Sequence, residues 1–281
     1  MTRPVLLVHH GTVERLDDLP AFLRNVRRGR EAPAELVAEM RRRYEAIGPS
    51  GSPLNAIAAR IASKLESRLR TRVVAAGRLW HPYPHEVLPS TPRVLVLALA
   101  QHSTHVYAEA VRRDMPGVEV DAVPNWGQTP ALLDAFASRI REAAAKLAGE
   151  PPTLLLTAHS LPKGADDHYE IETRASAHAV AERVRDVCPE ATVVFQSQGA
   201  GATASSWLGP SLADAIAEAR TRRVLVAPIG FLIDHVEILY DIDIEAKEQA
   251  RARGIELSRT RSLNDDDDFV AVLESLVRSA A

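Results

Sequence analysis

Four histidines follow runs of apolar residues, at the points where buried strands are expected to end. His10 closes VLLVHH, His102 follows VLVLALAQ, His159 follows TLLLTA and His235 follows VLVAPIGFLID. A neutral imidazole can bind a metal or accept a proton near pH 7. A single histidine in such a turn is more often a cap, but ligands of open α/β sheets bind beyond the carboxyl ends of the strands. We therefore expect these four side chains to point at one cleft.

The segment Gly230–Ala250 carries acidic residues three or four positions apart. They are Asp234, Glu237, Asp241, Glu245 and Glu248. On an α-helix this spacing places them on one face, where stacked like charges are destabilising unless a cation lies among them. Most acidic stripes are solvated faces, but this one begins where an apolar strand ends. It indicates a divalent metal that passes along the carboxylates, while His235 beside it is interpreted as structural.

Arginines crowd the first connection in two clusters. Their members are Arg24, Arg27, Arg28, Arg30, Arg41, Arg42 and Arg43. Guanidinium groups clamp carboxylates bidentately, so the clusters suit a small ligand with several anionic groups. The alternative is a set of solvated surface arginines. A nucleic-acid surface is disfavoured because aromatic residues are sparse there and the chain has a formal net charge of −3.

Other patterns carry no chemistry. Ser160 adjoins His159, but no G-x-S-x-G motif occurs, which disfavours a serine hydrolase. The run Asn264–Asp268 lacks the glycine and the terminal glutamate of a calcium loop and is interpreted as a helix N-cap with an acidic first turn. No G-x-G-x-x-G or P-loop motif supports nucleotide binding.

The elements that position these residues are short apolar runs separated by helical stretches. Continuous apolar strands are typical of parallel sheets covered on both faces, and helical periodicity is clearest over Pro53–Leu69 and Thr129–Leu147. The predicted fold is α/β, with two similar Rossmann-like lobes, each a four-stranded parallel sheet flanked by helices. A linker near Gly149–Pro152 divides residues 1–150 from residues 151–281. The eight runs are Pro4–Val8, Arg72–Ala76, Arg93–Leu99, Val118–Val123, Thr153–Ala158, Thr192–Phe195, Arg223–Ile229 and Ile255–Ser258.

Composition bounds the function. The 281 residues are 46% hydrophobic and 25% charged, as in ordinary globular chains. The single cysteine, Cys188, excludes an internal disulfide and a cysteine-ligated iron–sulfur cluster. No apolar run reaches the roughly 18 residues of a membrane span, and no signal peptide is recognised. We expect a cytoplasmic monomer without nucleic-acid partners.

Eight segments together resemble the signature segments of ferrochelatases, in family order from about residue 4 onward. Those near TAHSLP and GFLIDHVEILYDIDIE are the most specific, and VRRGR with RRYEAIG is closer to the Gram-positive-type enzymes that use coproporphyrin III. The resemblance implies two Rossmann-like lobes that enclose a porphyrin, into which ferrous iron is inserted. Iron is then a substrate, and no permanently bound cofactor is expected. The segments are LLVHHGT, VRRGR, RRYEAIG, SPLNAIAARIASKLESRL, TAHSLP, FQSQG, WLGP and PIGFLIDHVEILYDIDIEA.

Carried over position by position, the resemblance implies specific roles. His159 and Glu237 are catalytic and bind the iron, and His159 helps to remove the pyrrole protons. Asp241, Asp243 and Glu245 continue an outer acidic path. The residues implied to line the porphyrin or meet its propionates are His10, Arg27, Arg43, Tyr44, Ser52 and Trp207.

The chain also departs from the family pattern. His10 stands where Gram-positive-type enzymes have a tyrosine that approaches the iron from the other porphyrin face, and Val13 replaces a proline. These differences leave two alternatives open. One is a related chelatase that places cobalt or nickel into another tetrapyrrole, with His10 as a metal ligand. The other is a non-catalytic haem-binding protein with His10 and His159 on one iron. The choice between coproporphyrin III and protoporphyrin IX also stays open.

Overall fold

The computed structural model describes residues 3–147, 149–198 and 206–280 of the chain. Each predicted apolar run forms a strand, and the ends differ by one or two residues in most cases. The strands are β1 (Val5–His9), β2 (Val73–Gly77), β3 (Arg93–Ala98), β4 (Glu119–Ala122), β5 (Thr153–His159), β6 (Ala191–Gln196), β7 (Arg223–Ala227) and β8 (Glu256–Arg259).

The strands form two four-stranded sheets of the same design. Their orders are β2-β1-β3-β4 and β6-β5-β7-β8, and every pairing is parallel. In each sheet the strand that comes first in the sequence, β1 or β5, is an inner strand. Its carboxyl end therefore lies near the centre of the side of the sheet at which all four strands end. This confirms the predicted fold class of two Rossmann-like lobes.

Helices connect the strands. The long helices over residues 54–69 and 130–144 confirm the two clearest periodic stretches. Within the described residues, the helices are α1 (Leu19–Val26), α2 (Ala34–Ala46), α3 (Leu54–Leu69), α4 (Pro84–Val87), α5 (Thr104–Asp114), α6 (Pro130–Ala144), α7 (Asp167–Arg183), α8 (Leu212–Ala217), α9 (Val236–Leu239), α10 (Lys247–Arg251) and α11 (Asp267–Ser279), with a 3₁₀-helix (Leu16–Asp18) and a π-helix (Asp241–Ala246). None of them is both long and apolar enough to cross a membrane.

The chain divides into two compact units, but not at residue 150. The first unit comprises Met1–Asn125, Ile233–Val236 and Asn264–Ala281, and the second comprises Trp126–Leu232 and Glu237–Leu263. The reason is packing: α6 lies against α7 and β7, while α11 returns to α3. A single cut in the linker near residue 150 therefore does not separate the two units.

Each unit has its own apolar core. In the first, Leu6, Val8 and Val96 pack with residues of α5 such as Val111. In the second, Leu155, Val194 and Val226 pack with Ile216 of α8 and with the helical segment after residue 240. The central strands β1 and β5 lie in these cores, which fixes the position of the residues at their carboxyl ends.

Candidate active site

An imidazole and a carboxylate meet in the second unit. His159 is the last residue of β5, and its Nδ1 lies 2.9 Å from Oε2 of Glu237 in α9. Their side chains are 39% and 29% exposed, so a ligand can reach both. A carboxylate only accepts hydrogen bonds, so Nδ1 is the donor and the neutral ring keeps its lone pair on Nε2. This is the pair of residue types that the resemblance implies for iron.

Neighbouring side chains hold the backbone of this pair. The Tyr169 hydroxyl donates to the carbonyl oxygen of His159 at 2.8 Å. Tyr169 is itself placed by Asp166, whose carboxylate accepts from the Tyr169 amide and caps α7. On the other side, Nε2 of Gln196 donates to the carbonyl oxygen of Glu237 at 2.9 Å. The position of both candidate residues is thus fixed by hydrogen bonds outside their own elements.

Gly230 lets the chain after β7 pass close to β5. Its amide donates to the Thr157 carbonyl at 2.9 Å. A Cβ at this position would lie 2.5 Å from Cβ of Ala158 and 2.7 Å from its Cα. Residue 230 must therefore be glycine to leave room for Ala158, the residue immediately before His159.

The surroundings of His159 change its affinity for protons. Partial burial lowers the pKa of the imidazole, but the charge and hydrogen bond of Glu237, with the charge of Asp241, outweigh it. The net pKa of His159 is above its ordinary value. His159 is therefore a stronger base than a free histidine.

The predicted single acidic helix face is wrong. The segment is the four-residue α9, then the π-helix, then α10, and Asp234 precedes all three. In the π-helix the Glu245 amide donates to the carbonyl of Tyr240, five residues earlier, at 2.9 Å. This wider turn breaks the three-to-four spacing on which the prediction depended. Short π-helical turns occur frequently at functional sites.

The carboxylates of this segment have different partners. Asp241 is buried, and its Oδ2 accepts from the Ser197 hydroxyl at 2.6 Å. Asp243 accepts from Arg259 at 2.7 Å and from Lys247 at 3.0 Å. Burial raises the pKa of Asp243, but these cations outweigh it and hold the pKa below the ordinary value. Asp243 is therefore held as a carboxylate by two cations of the protein itself.

Two porphyrin candidates of the first unit, His10 and Tyr44, lie near the end of β1. Tyr44 is buried, and its hydroxyl lies 2.7 Å from Oγ1 of Thr12. The hydroxyl oxygen of Ser52 is buried without a hydrogen-bond partner. His10 packs edge-on against Phe22. An orphaned buried hydroxyl such as that of Ser52 is a group that a ligand can satisfy.

The arginine candidates are partly occupied by the protein itself. Arg43 donates to Glu39 at 2.7 Å, and Arg42 contacts the same carboxylate. Nε of Arg27 donates to the backbone carbonyl of Glu31.

In the second unit, Trp207 forms an antiparallel bridge with Pro162. Gly199, which ends the FQSQG segment, lies outside the described residues.

One of the four strand-end histidines does not meet the expectation of an open cleft. His102 is buried within the first unit, and burial lowers its pKa to about 4. Nδ1 of His235, which is partly exposed, lies 2.9 Å from the carbonyl oxygen of Ile233. The expectation for His102 is wrong because its side chain is 3% exposed and cannot present an open imidazole to a ligand.

Several residues that build the site carry no local sequence signal of a function. They are Tyr169, Gln196, Ser197, Gly230 and Arg259. Gln196 and Ser197 lie within FQSQG, a segment that resembles the family, and Tyr169 and Arg259 lie in no motif. Within the described part of the chain, no group of three or more His, Cys, Asp or Glu side chains is arranged to hold a metal.

The fold is that of the chelatases. A solved structure titled as CbiX, the terminal enzyme for biosynthesis of siroheme in denitrifying bacteria, matches with a TM-score of 0.62 and 19% identity, over 99% of this chain and 100% of that one. SirB from Bacillus subtilis with Fe3+ matches with a TM-score of 0.60 and 13% identity, over 100% and 96%. These likenesses concern the fold alone.

The family follows from the sequence comparisons. The ferrochelatase family model matches residues 2–281. A ferrochelatase of Herpetosiphon aurantiacus is 34% identical over 97% of both chains, and a coproporphyrin III ferrochelatase of Mycobacterium sp. (strain JLS) is 31% identical over 97% of this chain and 86% of its own. The chain belongs to the ferrochelatase family, whose members are enzymes that insert a metal into a porphyrin.

Proposed function

We propose that this chain inserts ferrous iron into coproporphyrin III, with His159 and Glu237 as the residues that bind the metal. The observation that carries the proposal is the 2.9 Å separation of His159 Nδ1 and Glu237 Oε2. Two neighbouring ligands of one ion, each about 2.1 Å from it at a right angle, are about 3 Å apart. Imidazole and carboxylate are ligands that iron(II) accepts without a thiolate. For Nδ1 to bind the metal, the ring proton moves from Nδ1 to Nε2, so the imidazole stays neutral.

The same pair accounts for proton balance. Insertion of Fe²⁺ into a porphyrin releases two pyrrole protons. When the metal leaves the pair for the macrocycle, Nδ1 takes one proton back and the hydrogen bond to Glu237 forms again. The raised pKa of His159 favours this step, and the carboxylate of Glu237, which the metal also leaves, accepts the other proton before it passes to solvent. No resident cofactor is needed in this scheme.

The preference for coproporphyrin III is supported by two observations. Relatives about 30% identical carry that name. The first unit also holds the arginine clusters and the orphaned Ser52 hydroxyl. Coproporphyrin III has four propionates and protoporphyrin IX has two, so arginines that bind propionates favour the former.

Iron-insertion kinetics with both porphyrins test the proposal. We expect His159→Ala and Glu237→Gln to lower kcat/KM at least about 100-fold, because each removes a metal ligand and a proton acceptor. His178→Ala is the matched control, since His178 is an exposed histidine of the same unit. Near-normal insertion by His159→Ala would contradict the site assignment.

The substrate preference needs a separate comparison. We expect kcat/KM for coproporphyrin III to exceed that for protoporphyrin IX by about tenfold or more, since charge-assisted hydrogen bonds are strong. His10→Tyr, which restores the family tyrosine, is expected to retain iron insertion. Faster insertion of Co²⁺ or Ni²⁺ into sirohydrochlorin than of Fe²⁺ into either porphyrin would favour the alternative chelatase.

A further inference from the structure

Two consecutive residues hold the carboxylate segment of the site. Gln196, the last residue of β6, is in register with His159, the last residue of β5, so both lie at the carboxyl ends of neighbouring strands. Gln196 donates to the backbone of Glu237, and Ser197 donates to the carboxylate of Asp241. The dipeptide therefore contacts both ends of the turn that carries these acids.

Both residues adopt unfavourable states to make these contacts. Ser197 has a φ of +61°, in the left-handed region that non-glycine residues rarely occupy. Gln196 is 4% exposed, and its Oε1 is buried without a hydrogen-bond partner. Strained backbone and unsatisfied buried groups persist where the surroundings over-determine them, and they concentrate at functional sites.

The contact to Asp241 is strong and directional. At 2.6 Å from Oγ to Oδ2, it has the length of a charge-assisted hydrogen bond. Asp241 is the first residue of the π-helix, and α9 before it has only four residues. Because so short a helix has few hydrogen bonds of its own, outside contacts must fix the direction of its carboxylates.

We propose that Ser197, supported by Gln196, is a positioning residue for metal insertion: its hydroxyl orients Asp241, and the dipeptide keeps the turn from Glu237 to Asp241 in register with His159. The inference rests on the proposed function of His159 and Glu237. Residues that orient metal-binding groups typically change metal affinity or activity 10- to 100-fold when they are removed. The porphyrin-binding step does not depend on this contact.

Two substitutions distinguish the effect of the Ser197 hydroxyl from the effect of the strained backbone. Ser197→Ala removes the hydroxyl and keeps a Cβ in the strained conformation, whereas Ser197→Gly removes the hydroxyl and suits a φ of +61°. We expect both to raise the KM for Fe²⁺ about tenfold and to leave the KM for porphyrin unchanged. Ser197→Thr keeps the hydroxyl, and we expect it to recover most of the affinity for iron at a lower thermal unfolding midpoint.

Metal binding without turnover provides the second readout. We expect titration with Co²⁺ alone, followed by its visible absorption, to show about tenfold weaker binding in the alanine and glycine variants. Ser211→Ala is the matched control, because Ser211 caps α8 and contacts Asp214.

The outcomes are distinguishable. The positioning role alone would be overturned by one result. In it, Ser197→Ala and Ser197→Gly both keep the wild-type KM for Fe²⁺ and wild-type Co²⁺ binding, while His159→Ala is inactive. Wild-type behaviour of Ser197→Gly with a defect only in Ser197→Ala would also overturn it, since backbone strain would then be the cause. Activity of His159→Ala would instead overturn the proposed function.

Discussion

Three histidines at strand ends show how the environment decides what one residue type does. His9 and His102 are buried in the first unit, and burial lowers the pKa of each to about 4. His159 has a carboxylate at 2.9 Å, and its pKa is raised. The first two are therefore neutral at every pH near 7, and only His159 combines exposure with a charged partner. Sequence position alone could not separate them.

The neutral state of His9 has a consequence for acid stability. Its Nδ1 accepts a hydrogen bond from the Gly11 amide at 3.1 Å, which requires an unprotonated nitrogen. Between pH 6.5 and about 4 the unfolded chain binds a proton that the folded chain does not, so stability falls as pH falls. The contribution of His9 over this window is about 3 kcal/mol.

We expect His9→Asn to flatten this pH dependence, because asparagine offers an acceptor near the position of Nδ1 and does not titrate. Urea unfolding from pH 7 to pH 4 measures it, as the slope of the unfolding free energy against pH. His178→Asn, at an exposed histidine, should keep the wild-type slope. An unchanged slope in His9→Asn would show that His9 is not the buried neutral group.

At the scale of elements, the regular parts of the fold were predictable and the irregular parts were not. Eight short runs predicted all eight strands of the described residues. The signal is clearest for the inner strands β1, β3, β5 and β7, which are buried and therefore nearly continuously apolar. The π-helix escaped prediction, since its acids keep the spacing of an α-helix in the sequence while the backbone does not follow it. The pairing of His159 with Glu237 came from a family resemblance, not from any local pattern.

Close packing between the chain after β7 and the end of β5 should make Gly230 intolerant of a side chain. We expect Gly230→Ala to displace β5 and lower the unfolding free energy by about 1–3 kcal/mol, because the atoms it meets are Cα and Cβ of Ala158. Since Ala158 precedes His159, iron insertion should fall as well. Thermal unfolding and the insertion assay measure the two effects.

Gly209→Ala is the matched control for this steric argument. A Cβ there meets its nearest heavy atom at 3.7 Å, an ordinary contact. We expect it to unfold within about 0.5 kcal/mol of wild type. Equal stability of the two variants would refute the close approach at Gly230.

At the scale of the whole molecule, the chain forms two units with the same strand order, but the first unit includes the last helix of the sequence. The first sheet ends with β4, yet the helix that covers α3 is α11, from the far end of the sequence. Ion pairs accompany this packing, with Arg60 bound to Asp265 at 3.0 Å and Lys64 to Asp267 at 3.1 Å. The predicted boundary near residue 150 could not reveal this return of α11. The return depends on contacts between distant residues, such as Arg60 and Asp265, which are 205 positions apart.

The return of α11 predicts that residues 1–150 do not fold stably by themselves. The fragment lacks five buried side chains of α11, namely Phe269, Val270, Val272, Leu273 and Val277. At about 1.5–3 kcal/mol for each buried apolar side chain, the loss is on the order of 10 kcal/mol, comparable with the whole net stability of a domain.

A matched polypeptide joins residues 1–125 to residues 264–281 through a flexible Gly/Ser linker. Because it restores α11 to α3 and omits the helix α6 that belongs to the second unit, we expect cooperative urea unfolding and slow amide exchange in β1 and β3. The 1–150 fragment should show neither. Cooperative unfolding of that fragment at the midpoint of the joined polypeptide would mean that α11 adds nothing to the first core, and the division of the chain would then lie near residue 150 after all.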